Sequence, residues 1–145
     1  MKIQQRIAIL ATIVIGLVMI LQLLLAAGFP LGQAAWGGLV QVLPPDLRWA
    51  SLATVGVLGL AAWVVLARAG LVAPGAEPVA IRVVTWVFVG FLSLNTLGNV
   101  VSSSPAERYV MAPVALLLVI CFIVVALSPR SVWLHVTQPR QRDRR

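Results

Sequence analysis

Charge is what this chain has least of. Only 10% of its 145 residues are charged, four of them are acids, and there is one histidine and one cysteine. Each scarcity excludes some chemistry. The lone Cys121 rules out an intrachain disulfide and any thiol relay that needs a cysteine pair. Its neighbours Val119, Ile120, Phe122 and Ile123 make it an apolar packing residue of low reactivity. His135 stands alone, with no metal-ligand partner at useful spacing, and there is no Cys-x-x-Cys and no glycine-rich phosphate loop. No metal and no cofactor are expected. The eleven Lys and Arg, with a formal net charge of +7, would suggest nucleic acid in a soluble protein. No basic patch interleaves with aromatic residues to stack bases, so no nucleic-acid partner is expected.

What the chain has instead is apolar length. With 61% hydrophobic residues and a mean hydropathy of +1.01, it lies outside soluble usage. Four nearly chargeless runs cover about residues 7–27, 47–66, 79–101 and 109–127. Each approaches the ~20 residues a helix needs to cross a ~30 Å hydrocarbon core. The reading is one integral membrane domain, an all-α four-helix transmembrane bundle running up-down-up-down. A basic tail follows from about residue 128. None of the runs has an ionisable residue at its middle. Proton-coupled exporters, ion pumps and charge-relay enzymes place a carboxylate or histidine there. Small four-helix multidrug exporters, for instance, rely on a glutamate in their first helix, which is missing here.

Charge fixes the expected orientation. Four crossings with a cytoplasmic N-terminus put Lys2, Arg6, Arg68, Arg82, Arg130, Arg140, Arg142, Arg144 and Arg145 inside, leaving only Arg48 and Arg108 outside. Nine against two satisfies the positive-inside rule, so both termini are expected in the cytoplasm and the protein in the plasma (inner) membrane. Lys2 and Arg6 ahead of an apolar run ending Ala26-Ala27-Gly28 also resemble a signal peptide. The run is longer than the 7–15 residues of a signal-peptide core, which favours a retained helix.

The outer loops are the distinctive part. The first, from Gly28 to Asp46, carries Phe29-Pro30, Gly32, Trp36-Gly37-Gly38 and Pro44-Pro45, a density of Pro and Gly that breaks helix and favours a turn-rich cap. Trp36, Trp49 and Tyr109 suit the headgroup layer. Asp46 suits the start of the second helix, as its N-cap or in its first turn. Ser104, Pro105 and Glu107 stand at N-cap, first and third positions of a fourth helix that thereby begins at about residue 105. Between the membrane ends, Arg68 to Arg82 forms a second turn holding Gly70, Pro74, Gly75 and Pro78. Trp133, Leu134 and Val136 precede a polar tail suited to anionic lipid.

Polar residues in the runs cluster at one depth. Gln22, Ser51, Thr54, Asn95 and Asn99 fall in the outer third, with Ser93 and Thr96 beside Asn95, and the inner half has no comparable layer. Above this slab, Asp46, Arg48, Glu107 and Arg108 are two acids and two bases that could pair across the loops and clamp the first loop, with Trp36, over the bundle. Neutral polar residues in membrane helices commonly hydrogen-bond between helices, at about 0.6 kcal/mol each on average. An outward-facing binding pocket is the functional alternative. Ala53, Gly56 and Gly59, with Gly90 and Gly98, suit close helix packing within the chain or against a partner subunit. Three functions remain. The foremost is a structural or accessory membrane protein that binds lipids, a partner membrane protein or further copies of itself. The alternative is a small-molecule or lipid-binding or transport component using the slab. An enzyme is disfavoured, because no nucleophile, base and orienting group assemble from these residues.

The arrangement also resembles a group of small uncharacterised four-helix membrane proteins of high-GC bacteria. The likeness is carried by Gly28-Phe29-Pro30-Leu31-Gly32, Ala35-Trp36-Gly37-Gly38, Leu43-Pro44, Leu47-Arg48 with Ser51, and Arg68-Ala69-Gly70. Asn99 with Ser102 and Ser104, and Glu107-Arg108 leading to Pro113, continue it. It spans most of the chain except the basic tail. It implies the four-helix fold, with the Trp-Gly-Gly loop and the Glu-Arg turn as its recognisable parts, and no activity.

Overall fold

In hydrocarbon the backbone must satisfy its own polar groups, and a helix does so within one segment. The chain accordingly folds as α1 (Ile3–Ala26), α2 (Pro45–Arg68), α3 (Val79–Val101) and α4 (Ala112–Leu127), with a π-turn at Glu107–Met111 leading into the last. This is a computed structural model that describes residues 1–38, 40–72 and 79–128. Pro74, Gly75, Pro78 and the tail, with Trp133, Leu134, His135 and Val136, lie outside the described residues. α1, α2, α3 and the last helix taken with its π-turn, Glu107–Leu127, are each long and apolar enough to span a membrane, as the runs required.

Helix ends differ from run ends where local chemistry outweighs hydropathy. α1 starts before its apolar run because Gln4, Gln5 and Arg6 are good helix formers. Gln5 Oε1 also accepts the Lys2 N–H at 3.0 Å. α2 starts at Pro45, where a missing N–H costs nothing, and Asp46 takes a first-turn place rather than the N-cap. Both α1 and α2 end in the same way. Phe29 N–H reaches Leu24 O and Gly28 N–H reaches Leu25 O, while Leu71 reaches Leu66 and Gly70 reaches Ala67. This is the paired bonding of a Schellman stop, which satisfies the last carbonyls.

Each helix packs against its sequence neighbours, and α1 closes the bundle against α4. Ala8, Ala11 and Ile15 of α1 share one buried core with Leu58, Ala61, Val64 and Val65 of α2 and with Phe88, Leu118, Phe122 and Val125. The Phe88 and Phe122 rings stand 6.0 Å apart, tilted by 53°, a favourable offset for two quadrupoles. Cys121 is buried in the same cluster, in keeping with a packing role. Large side chains such as Ile13, Leu17, Ile20 and Leu94 point outward, which costs nothing against lipid tails.

The glycines expected to tighten helix packing do not do so within the chain. A Cβ added at Gly56, Gly90 or Gly98 meets no atom within 4 Å, and at Gly59 only Met19 Cε at 3.9 Å. The half of the bundle away from the first loop also buries polar groups. Gln4, Arg68 and Thr85 are buried away from the loop end. Arg68 Nη2 donates to Ala126 O at 2.9 Å and Ser128 O at 3.2 Å, so the guanidinium closes the C-terminus of α4. A cation there also meets the negative end of the helix dipole.

Candidate functional site

At the opposite end the first loop folds back over the bundle. Two short 3₁₀ turns, Gly32–Ala34 and Trp36–Gly38, build it, and the Gly32 N–H closes it on Gln41 O at 2.9 Å. Trp36, Gly37 and Gly38 follow one another with φ of 58°, 81° and 65°. Glycine takes such angles freely, whereas Trp36 pays strain of order 1 kcal/mol. Two contacts offset that cost. The Trp36 indole Nε1 donates to Ser51 Oγ at 3.0 Å, and the turn aims the Gly37 N–H at Glu107 Oε1, 2.7 Å away. Gly38 lies so close to the third loop that a Cβ there would stand 2.5 Å from Ser104 Cβ.

Glu107 reaches this position through the π-turn. Pro113 has no N–H to offer the carbonyl four residues back, and its ring crowds that turn. The backbone widens, and Ala112 N–H bonds to Glu107 O, five residues back. Glu107 is thereby turned inward to 5% exposure, while Tyr109 is 72% exposed. The expected place of Glu107 was among the loop charges; Pro113, six residues on, is the sequence signal that the turn would widen.

Among the described residues Asp46, Arg48, Glu107 and Arg108 form no ion pair with one another, and of the four only Glu107 reaches across to the first loop. Glu107 accepts from Gly37 N–H. Arg48 Nε donates to Leu43 O at 2.8 Å, and its guanidinium covers Gly28. Arg108 Nη2 donates to Ser102 O at 2.7 Å. Asp46 is exposed in the first turn of α2. Among the described residues each of the other three charges thus holds backbone groups. A loop with few regular hydrogen bonds has many unsatisfied N–H and C=O groups, and these claim the charges. The Ser104 hydroxyl likewise leaves the helix start, where an N-cap was expected, and donates to Gln33 O.

The slab divides. Thr54 donates to Ala50 O at 2.9 Å, Ser93 to Val89 O at 2.8 Å and Thr96 to Leu92 O at 2.8 Å, so these hydroxyls are satisfied within their own helices. Ser51 is fully buried against Trp36, which is therefore turned to the bundle rather than to the headgroup layer alone. Trp49 and Tyr109 remain exposed, as headgroup anchors would. Gln22 is buried, with an Oε1 that accepts nothing among the described residues. Asn95 and Asn99 share a face, Asn99 Nδ2 donating to Asn95 Oδ1 at 3.2 Å.

That asparagine face is one wall of an open cavity of about 430 Å³ beneath the loop. Trp36, Gly37, Asn95, Gly98, Asn99, Ser102, Ser103 and Glu107 line it. Of the residues expected at a site, the fold gathers Asn95, Asn99, Trp36 and Glu107 here and leaves Gln22, Ser51, Thr54, Asp46, Arg48 and Arg108 out of the lining. Ser102 and Ser103 were not anticipated as lining residues. Among the described residues no group of His, Cys, Asp and Glu is placed to hold a metal. No protein-family model, curated protein or solved structure matches the chain.

Proposed function

We propose that the protein is an integral protein of the plasma (inner) membrane whose working part is this open cavity beside the first loop. In this reading it is an outward-facing binding site for a small molecule or a lipid headgroup. The nine-to-two partition of Lys and Arg supports four up-down crossings with both termini in the cytoplasm. The observation that carries the binding reading is the cavity itself. Its size lies in the range of ligand pockets, and its wall sets a carboxylate and two carboxamides beside an indole. A role in catalysis is not proposed. The cavity hydroxyls of Ser102 and Ser103 are not hydrogen-bonded to Glu107, so nucleophile and base are not joined.

Native mass spectrometry of the protein, extracted from its own membrane in mild detergent, tests this reading. The expected result is a discrete adduct of lipid or metabolite size that Asn95→Leu removes and Gln22→Leu keeps. An accessory role is the second reading, favoured by Gly90, Leu94 and Gly98, which lie exposed on α3. A protein complex dissociated by Gly90→Leu, with no small adduct, would establish that role instead.

A further inference from the structure

Resting on the binding reading, we infer that the cavity takes a ligand bearing an ammonium group, as in the amine headgroup of a zwitterionic phospholipid or a free organic amine. The argument begins with Glu107. Its side chain is 95% removed from solvent at the cavity wall, and an isolated carboxylate is costly to desolvate. The neutral Gly37 N–H is its protein hydrogen-bond donor, and among the described residues it has no ion-pair partner. The two arginines of this end are committed to Leu43 O and Ser102 O. A positive ligand group beside Glu107 completes the site; an anion would meet the carboxylate directly.

The other walls suit the same chemistry. The Asn95 oxygen takes the Asn99 amide, which leaves the Asn99 oxygen with no donor among the described residues. It offers a second acceptor to an ammonium, which has up to three protons to donate. Trp36 adds an aromatic surface, held in place by its bond to Ser51, and cations are attracted to indole faces. Arg108 holds the carbonyl of the lining residue Ser102 and so fixes the wall without itself belonging to it.

The test titrates the full-length protein in detergent with phosphatidylethanolamine, phosphatidylglycerol and N-acetyl phosphatidylethanolamine of matched chains, and separately with ethanolamine. Native mass spectrometry reads the complexes. The expected result is at least tenfold tighter binding of phosphatidylethanolamine than of either other lipid, with the preference lost in Glu107→Gln and partly kept in Glu107→Asp. Ethanolamine binding as tightly as the lipid would support the ammonium site and make a soluble amine the source. Should Glu107→Gln fail to fold, the N-acetyl lipid still decides, since it removes the ligand's ammonium charge and leaves the protein intact. Equal binding of all three lipids, abolished by Asn95→Leu, would overturn the ammonium inference and leave the binding reading standing. No binding of any lipid or amine would end both.

Discussion

The two ends of the bundle each bury a charged side chain against backbone, and they do opposite things with it. Arg68 donates to Ala126 O and Ser128 O and closes the C-terminus of α4. Glu107 accepts one N–H from the folded-back loop and borders an open cavity. A guanidinium carries five donors in a planar fork and can satisfy several carbonyls at once. A carboxylate is acceptor only, and a loop that offers it one N–H leaves capacity for another donor. A buried charge can therefore be a clamp or a receptor, and the number of matching partners decides which.

Breaking either end sharpens the contrast. The largest effect is expected at the loop. Gly38→Val adds a branched side chain at positive φ where a Cβ already overlaps Ser104, for a loss of roughly 3 kcal/mol. Thermal unfolding in detergent would show it, together with loss of any cavity adduct. Arg68→Met removes two charge-assisted bonds at the far end, about 2 kcal/mol; unfolding temperature should fall while ligand retention is unchanged. Trp36→Phe keeps a ring but loses the bond to Ser51, about 1 kcal/mol, and proteolysis within residues 32–44 should quicken as the loop loosens. Asn99→Ala is expected to cost least, near ~0.6 kcal/mol, in the unfolding temperature, yet to weaken the cavity adduct. That last divergence between stability and binding separates a receptor from a packing contact.

The helices were legible and their inward faces were not. α3 was bounded at 79–101 from hydropathy, and the structure gives Val79–Val101. Hydropathy cannot choose a face when a helix is apolar all round, because the 3.6-residue pattern that marks burial in soluble proteins disappears. Arg68 illustrates the point. It falls in register with Ala61, Val64 and Val65, all buried, yet its charge alone suggested a surface anchor. Composition groups Thr54, Ser93 and Thr96 with the slab, but each of these hydroxyls bonds the carbonyl four residues back in its own helix before any neighbour. Asn95 and Asn99 have side chains that can bond one another and still face outward. Pro113 hinted at the widened turn, but the contact of Glu107 with Gly37 was not legible, since it needs three consecutive left-handed residues to meet that turn in space.

A crystal structure of the protein extracted with its native lipids tests the receptor most directly. The account predicts density of headgroup size in the cavity, with an ammonium within hydrogen-bond distance of Glu107 and Asn99 and beside Trp36. A cavity holding only water at full lipid occupancy elsewhere, or one filled by a second copy packed along Gly90 and Gly98, would contradict it.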